Sequence, residues 1–139
     1  MSLSEERTKN LLEEMSLFPN AKERFEYIID KYKKSVPLSD DLKIEENLVK
    51  GCMSSLWLVA EFKDDKCYFA SDADSLITKG VASLVCEFYN GLTPSEVLSI
   101  DENCFEKSHI SDQLSPNRRN GLSKLIEKIR LFAQAQLIS

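Results

Sequence analysis

Leu56-Trp57-Leu58-Val59-Ala60-Glu61-Phe62, then Lys63-Asp64-Asp65, then Lys66-Cys67-Tyr68-Phe69-Ala70, is the stretch on which the architecture turns. In an extended chain Leu56, Leu58, Ala60 and Phe62 share one face, with Trp57, Val59 and Glu61 on the other. A short polar triplet divides two apolar runs, and that pattern predicts a β-hairpin. A third strand is expected around Leu48-Val49, with Gly51-Cys52 in the connection. About three antiparallel strands make the smallest stable sheet, and helices must cover one of its faces. The expected fold class is therefore α+β.

Helical patterns flank the hairpin. Ser4 is placed to cap a first helix, with Glu5 and Glu6 in its opening turn and Leu11, Leu12 and Met15 on its apolar side. Met1-Ser2-Leu3 carries no structural signal of its own. Phe18-Pro19-Asn20 interrupts, and Phe25, Ile28, Ile29 and Tyr32 then recur at helical spacing. After the hairpin, Asp72 or Asp74 is expected to cap a helix whose stripe is Ile77, Gly80, Val81, Leu84, Val85 and Phe88. Gly80 inside that stripe argues for close packing against another backbone. Thr93-Pro94-Ser95-Glu96 reads as a capping box with proline at the first helical position. A last helix follows Ser115-Pro116-Asn117, its stripe running from Leu122 to Ala133.

A chain of 139 residues suits one domain, taken as residues 1–139. Charged residues are 29% and apolar residues 42%, ordinary values for a globular protein. A formal net charge of -5 argues against nucleic acid as the main partner. No apolar run approaches the roughly 20 residues a bilayer requires, and no signal-peptide core follows the start, so a cytoplasmic protein without a membrane partner is expected.

Four cysteines are spaced 15, 19 and 18 residues apart, which leaves no C-x-x-C pair for redox or zinc chemistry, and only His109 could join them. Of the four, Cys52 directly follows a glycine and precedes the strand-like run. Gly51 can take backbone angles closed to other residues and so present the next side chain on a tight turn. The bland reading of Cys52, a small buried hydrophobe, stands beside that one. His109 is the one candidate base for cysteine catalysis, and its polar surroundings suit a surface histidine better. No H-E-x-x-H, Walker loop or G-x-G-x-x-G is present. Arg118-Arg119 could hold a carboxylate or phosphate, or make local contacts at a helix start. What survives is a thiol acting without its own base or metal, as thiol–persulfide exchange allows.

Gly51-Cys52-x-Ser54-x-Leu56-Trp57 resembles the GC-x-S-x-(V/L)-W signature of SufE proteins, sulfur-acceptor partners of cysteine desulfurases. Ser71-Asp72-Ala73-Asp74 with Ile77-Thr78-Lys79-Gly80 is similar to that family's acidic turn and I-x-K-G helix start. Tyr89-Asn90-Gly91-Leu92-Thr93-Pro94-Ser95-Glu96 resembles its Y-x-G-x-(S/T)-P-x-E segment. Leu114-Ser115-Pro116-Asn117-Arg118-Arg119-Asn120-Gly121-Leu122 resembles its L-(S/T)-P-x-R-x-x-G-L box. The likeness covers about residues 18–135.

The resemblance implies a SufE/IscU-like fold. It implies that Cys52 accepts sulfane sulfur from a SufS-type or CsdA-type desulfurase and passes it, as persulfide, to an Fe–S cluster scaffold. Pyridoxal phosphate would belong to that partner, with no cofactor and no metal in this chain. It also implies an acceptor thiol that rests in an apolar pocket until the partner docks. Asp72, Asp74, Arg118 and Arg119 are candidate partner-binding residues on the same grounds. The alternative is a non-catalytic regulator or scaffold that binds the desulfurase, with Cys52 structural. Self-association into a homodimer stays open.

Overall fold

The computed structural model describes residues 1–51, 55–112 and 114–138. Two helices come first, α1 (Leu3–Ser16) and α2 (Ala21–Tyr32). Two single 3-10 turns, Asp40–Leu42 and Glu45–Asn47, lead to the hairpin of β1 (Leu56–Lys63) and β2 (Lys66–Ala73). Helices α3 (Leu76–Tyr89), α4 (Pro94–Ser99), α5 (Cys104–Lys107) and α6 (Pro116–Ile138) complete the order. None of these helices is long and apolar enough to cross a membrane.

The hairpin pairs in continuous register from Leu56 opposite Ala73 to Lys63 opposite Lys66. Its two turn residues, Asp64 and Asp65, both lie in the left-handed region at φ 52° and 64°. Aspartate tolerates that region, and such a turn matches the twist of the strands it joins. Leu56 and Leu58 are buried as the alternation requires, with Ala60 packed at the margin of the core. Phe62, the last member of that face, is 41% exposed because it lies at the turn end of the hairpin.

Among the described residues the sheet has two strands, and the third expected strand is reduced to one antiparallel bridge of Leu48 opposite Trp57. The Val49 N–H donates to the Leu56 carbonyl at 2.7 Å, while the Leu48 N–H is taken by the Glu45 carbonyl of the preceding 3-10 turn, so the pairing does not extend upstream. The outer edge of β2 is closed by the exit of α3. The Cys67 N–H donates to the Leu92 carbonyl, the Gly91 N–H to the Cys67 carbonyl, and the Phe69 N–H to Asn90 Oδ1. Both edges thus satisfy part of their backbone without further strands.

Helix α3 lies against β2 and α2, while α6 lies against α4, α3 and β1. At Gly80 a methyl group would come within 3.6 Å of the Ile28 carbonyl and the Ile29 Cα, which is the close backbone approach the stripe implied. Phe69, Phe88, Tyr89 and Phe105 form a largely edge-to-face aromatic cluster at the centre, with ring centroids 5.0 to 6.5 Å apart. The capping box of α4 is formed in full, Thr93 and Glu96 each accepting from the other's backbone N–H.

Two caps differ from expectation. Ser2, not Ser4, accepts from the Glu5 N–H at the start of α1. Ser4 is buried instead and donates to the Glu96 carbonyl, tying α1 to α4. Ser75, not Asp72 or Asp74, caps α3 through the Thr78 N–H. Asp72 has been drawn into a buried ion pair, which no local pattern announces.

Candidate functional site

The segment leading to Gly51 is held by main-chain and side-chain bonds together. Val49 is buried and bonded to Leu56, so the chain before Gly51 and the chain after Ser55 are fixed to each other at one point. Gly51 sits at φ +92°, where a side chain is strained whatever space surrounds it. A Cβ there would also meet Lys124 Cγ at 3.4 Å and Asn120 Nδ2 at 3.6 Å. Cys52, together with Met53 and Ser54, lies outside the described residues. On the far side the Ser55 carbonyl accepts from the Asp74 N–H at 3.1 Å. Asp74 itself is exposed, so its backbone steadies the segment while its carboxylate faces solvent.

Helix α6 supplies the other wall. Asn120 Nδ2 donates to the Gly51 carbonyl at 2.7 Å. Lys128 Nζ lies 3.1 Å from the Glu46 carbonyl and 3.4 Å from that of Leu48. Asn120, Lys124 and Lys128 recur every four residues and so stand in one row along the helix. Burial, and then the neighbouring charge of Lys50, push the Lys128 ammonium below the usual lysine range. None of the three stood out in the sequence, because polar residues on a helix ordinarily face water. The one signal was their four-residue spacing opposite the apolar stripe.

Beside Leu56 lies a cavity of about 240 Å³ between β1, α3 and the amino end of α6. Its walls include Val81, Ala82, Leu122 and Leu125, with Arg118 among the lining groups. Thr78 Oγ1, also in the lining, is buried and finds no partner among the described residues. One side of this space is apolar, while Arg118 and the amino end of α6 bring positive potential to the other, so it suits a small group and does not exclude an anionic one.

The remaining candidates separate clearly. Asp72 is buried, its side chain only 5% exposed, and pairs with Lys43 at 3.2 Å and Lys79 at 3.9 Å. It also accepts from the N–H groups of Leu38 and Ala73. Burial alone would raise its pKa, but these donors and the Lys43 charge outweigh that and hold the carboxyl below the usual range. Its position is that of an internal anchor, not of a surface group. Arg118 and Arg119 are both exposed at the start of α6, where Ser115 receives their N–H groups. Successive helical residues point about 100° apart. Accordingly Arg118 borders the Leu56 cavity, whereas Arg119 borders a separate groove with Glu102 and Arg130.

Cys67, Cys86 and Cys104 are buried, at 0%, 4% and 1% exposure. Burial raises all three thiols, Cys86 to about 11 and Cys104 to about 12, so they stay protonated and shielded near neutrality. His109 is exposed after α5 at φ 66°, its Nδ1 3.0 Å from Asp112 Oδ2.

Comparison with known proteins follows this geometry. Residues 9–133 match the family model SufE, described as an Fe–S metabolism associated domain. An uncharacterized SufE-like protein of Synechocystis sp. is 29% identical over 125 residues, spanning 90% of this chain and 79% of that protein. A solution structure of a hypothetical protein from Thermus thermophilus superposes with a TM-score of 0.78 over 96% of this chain and 97% of that one. At 19% identity that likeness concerns the fold.

Proposed function

The chain belongs to the SufE family, whose domain is associated with Fe–S metabolism, and we propose that within it this protein is a sulfur carrier acting through Cys52. A SufS-type or CsdA-type cysteine desulfurase would be the donor and an Fe–S cluster scaffold the recipient. The observation that carries the reading is the contrast among the cysteines. Three are sealed in the core with raised pKa values, while Cys52 directly follows Gly51 at φ +92° in the signature segment.

The transfer step balances without an external oxidant. The Cys52 thiolate attacks the terminal sulfur of the donor's cysteine persulfide and a new S–S bond forms at Cys52. The donor's S–S bond breaks, its cysteine leaves as thiolate, and the sulfhydryl proton stays on the transferred sulfur. The chain needs only an accessible thiolate for this, since the donor supplies the activated sulfur. The Leu56 cavity supports the same reading, because its Val81, Ala82, Leu122 and Leu125 walls would shelter an attached persulfide from reductants while Arg118 and the amino end of α6 favour its anionic form.

Incubation with a desulfurase and cysteine, followed by mass spectrometry, tests the proposal. The Cys52 peptide should gain about 32 mass units, one sulfur atom by exchange. Cys52→Ser should gain none and should lose stimulation of the desulfurase while keeping its melting temperature. Binding without any mass gain would replace the carrier with a regulator.

A further inference from the structure

Asn120 has no role in the reading so far, yet it makes a side-chain contact with the backbone next to the acceptor. We infer that Asn120 is a positioning residue that sets the peptide joining Gly51 to Cys52, an inference that rests on the carrier reading above. Its amide donates to the Gly51 carbonyl at 2.7 Å across 69 residues of sequence. The nitrogen must be the atom on that carbonyl, since an amide oxygen at this distance would be repelled by it.

The bonded oxygen belongs to the Gly51–Cys52 peptide itself. That unit is planar, so a hold on its oxygen limits rotation about the Gly51 ψ angle. Glycine needs such a hold more than any other residue, because its own backbone preferences restrict it least. The stem of Lys124 backs the same Gly51, and Lys128 fixes the carbonyls of Leu48 and Glu46 further along α6. Thus α6 grips the approach to the acceptor at three successive turns, with Asn120 at the end nearest Cys52. For a carrier without its own base, a preset acceptor geometry governs the rate once the partner is bound.

Two substitutions separate this role from stability. Asn120→Asp keeps the shape but sets an acceptor against the Gly51 carbonyl, and its charge near the amino end of α6 favours the helix. Asn120→Gln keeps an N–H donor. From a desulfurase preloaded with persulfide, Asn120→Asp should accept sulfur about fivefold more slowly at saturation, the loss of one neutral hydrogen bond. Its half-saturating concentration and melting temperature should hold, and Asn120→Gln should stay within about twofold of the parent rate, an effect smaller than one such bond. In the free protein, alkylation of Cys52 by iodoacetamide should instead quicken in Asn120→Asp, because losing the tether frees rotation about the Gly51 ψ angle and a small reagent gains from every arrangement that opens.

Parent-like transfer by Asn120→Asp overturns the inference. So does a loss residing in half-saturation, which would mark a docking contact, or an equal loss in Asn120→Gln. Should the parent itself gain no sulfur on Cys52, the carrier reading fails. Alkylation then decides alone on the tether, and an unchanged rate in Asn120→Asp sinks it.

Discussion

At Gly51 the argument rests on a single dihedral. A residue at φ +92° is comfortable only as glycine, and a β-branched replacement there meets strain of roughly 1–3 kcal/mol as well as the Lys124 stem. Gly51→Val should therefore lower stability modestly, since the residue is exposed and contributes no core. Sulfur transfer should fall further, on the order of tenfold or more, because small misplacements of a reacting group are costly. Single-turnover transfer set against the thermal midpoint checks this, and normal transfer would show that the left-handed glycine is dispensable. The Gly51-Cys52 pair was legible in the sequence because a glycine beside a thiol is a local signal. Asn120 was not, since its partner lies 69 residues away and it fills an unspecified position of the segment that resembles the family box.

Elements formed where period and caps agreed. The hairpin, the α3 and α6 stripes and the α4 capping box are all local patterns, and each stands where its residues placed it. The misreadings came where other partners competed. The Leu48-Val49 strand stops at one bridge because the 3-10 turn Glu45–Asn47 immediately precedes it and takes the Leu48 N–H on the Glu45 carbonyl. Asp72 leaves the cap to Ser75 because Lys43, Lys79 and the Leu38 N–H hold it inside. That buried carboxylate joins the end of β2, both flanks of the first 3-10 turn through Leu38 and Lys43, and the start of α3. Asp72→Asn should cost about 3 kcal/mol at neutral pH, as when one partner of a buried pair is removed. The folded-state pKa is depressed, so the contribution is present above the unfolded value of about 3.9 and lost as pH falls through the folded value. Denaturation midpoints measured down the acid range should show that extra loss in the parent and not in Asp72→Asn. Equal acid slopes would mean that the pair contributes no net stability.

Across the whole molecule the charge is negative, and against that background individual cations near the acceptor segment stand out to an approaching partner. Sequence alone offered Arg118 and Arg119 as one basic pair. Helix geometry divides them, with Arg118 on the Leu56 cavity and Arg119 on the groove toward Glu102. Leu56, four residues after Cys52, lines the same cavity as Arg118, which ties Arg118 rather than Arg119 to the acceptor segment. Docking through Cys52 would then use Arg118 more than Arg119. Charge reversal, Arg118→Glu, should weaken desulfurase binding and flatten its salt dependence, since one favourable exposed contact is screened at physiological ionic strength. Arg119→Glu should change both much less, and neither variant should move the melting temperature far, because exposed charges contribute little to stability. Binding titrations across a salt series distinguish the two. A larger effect at Arg119 would move the docking face to the α4–α5 groove, and it would leave Arg118 as a local wall of the cavity rather than a contact for the partner.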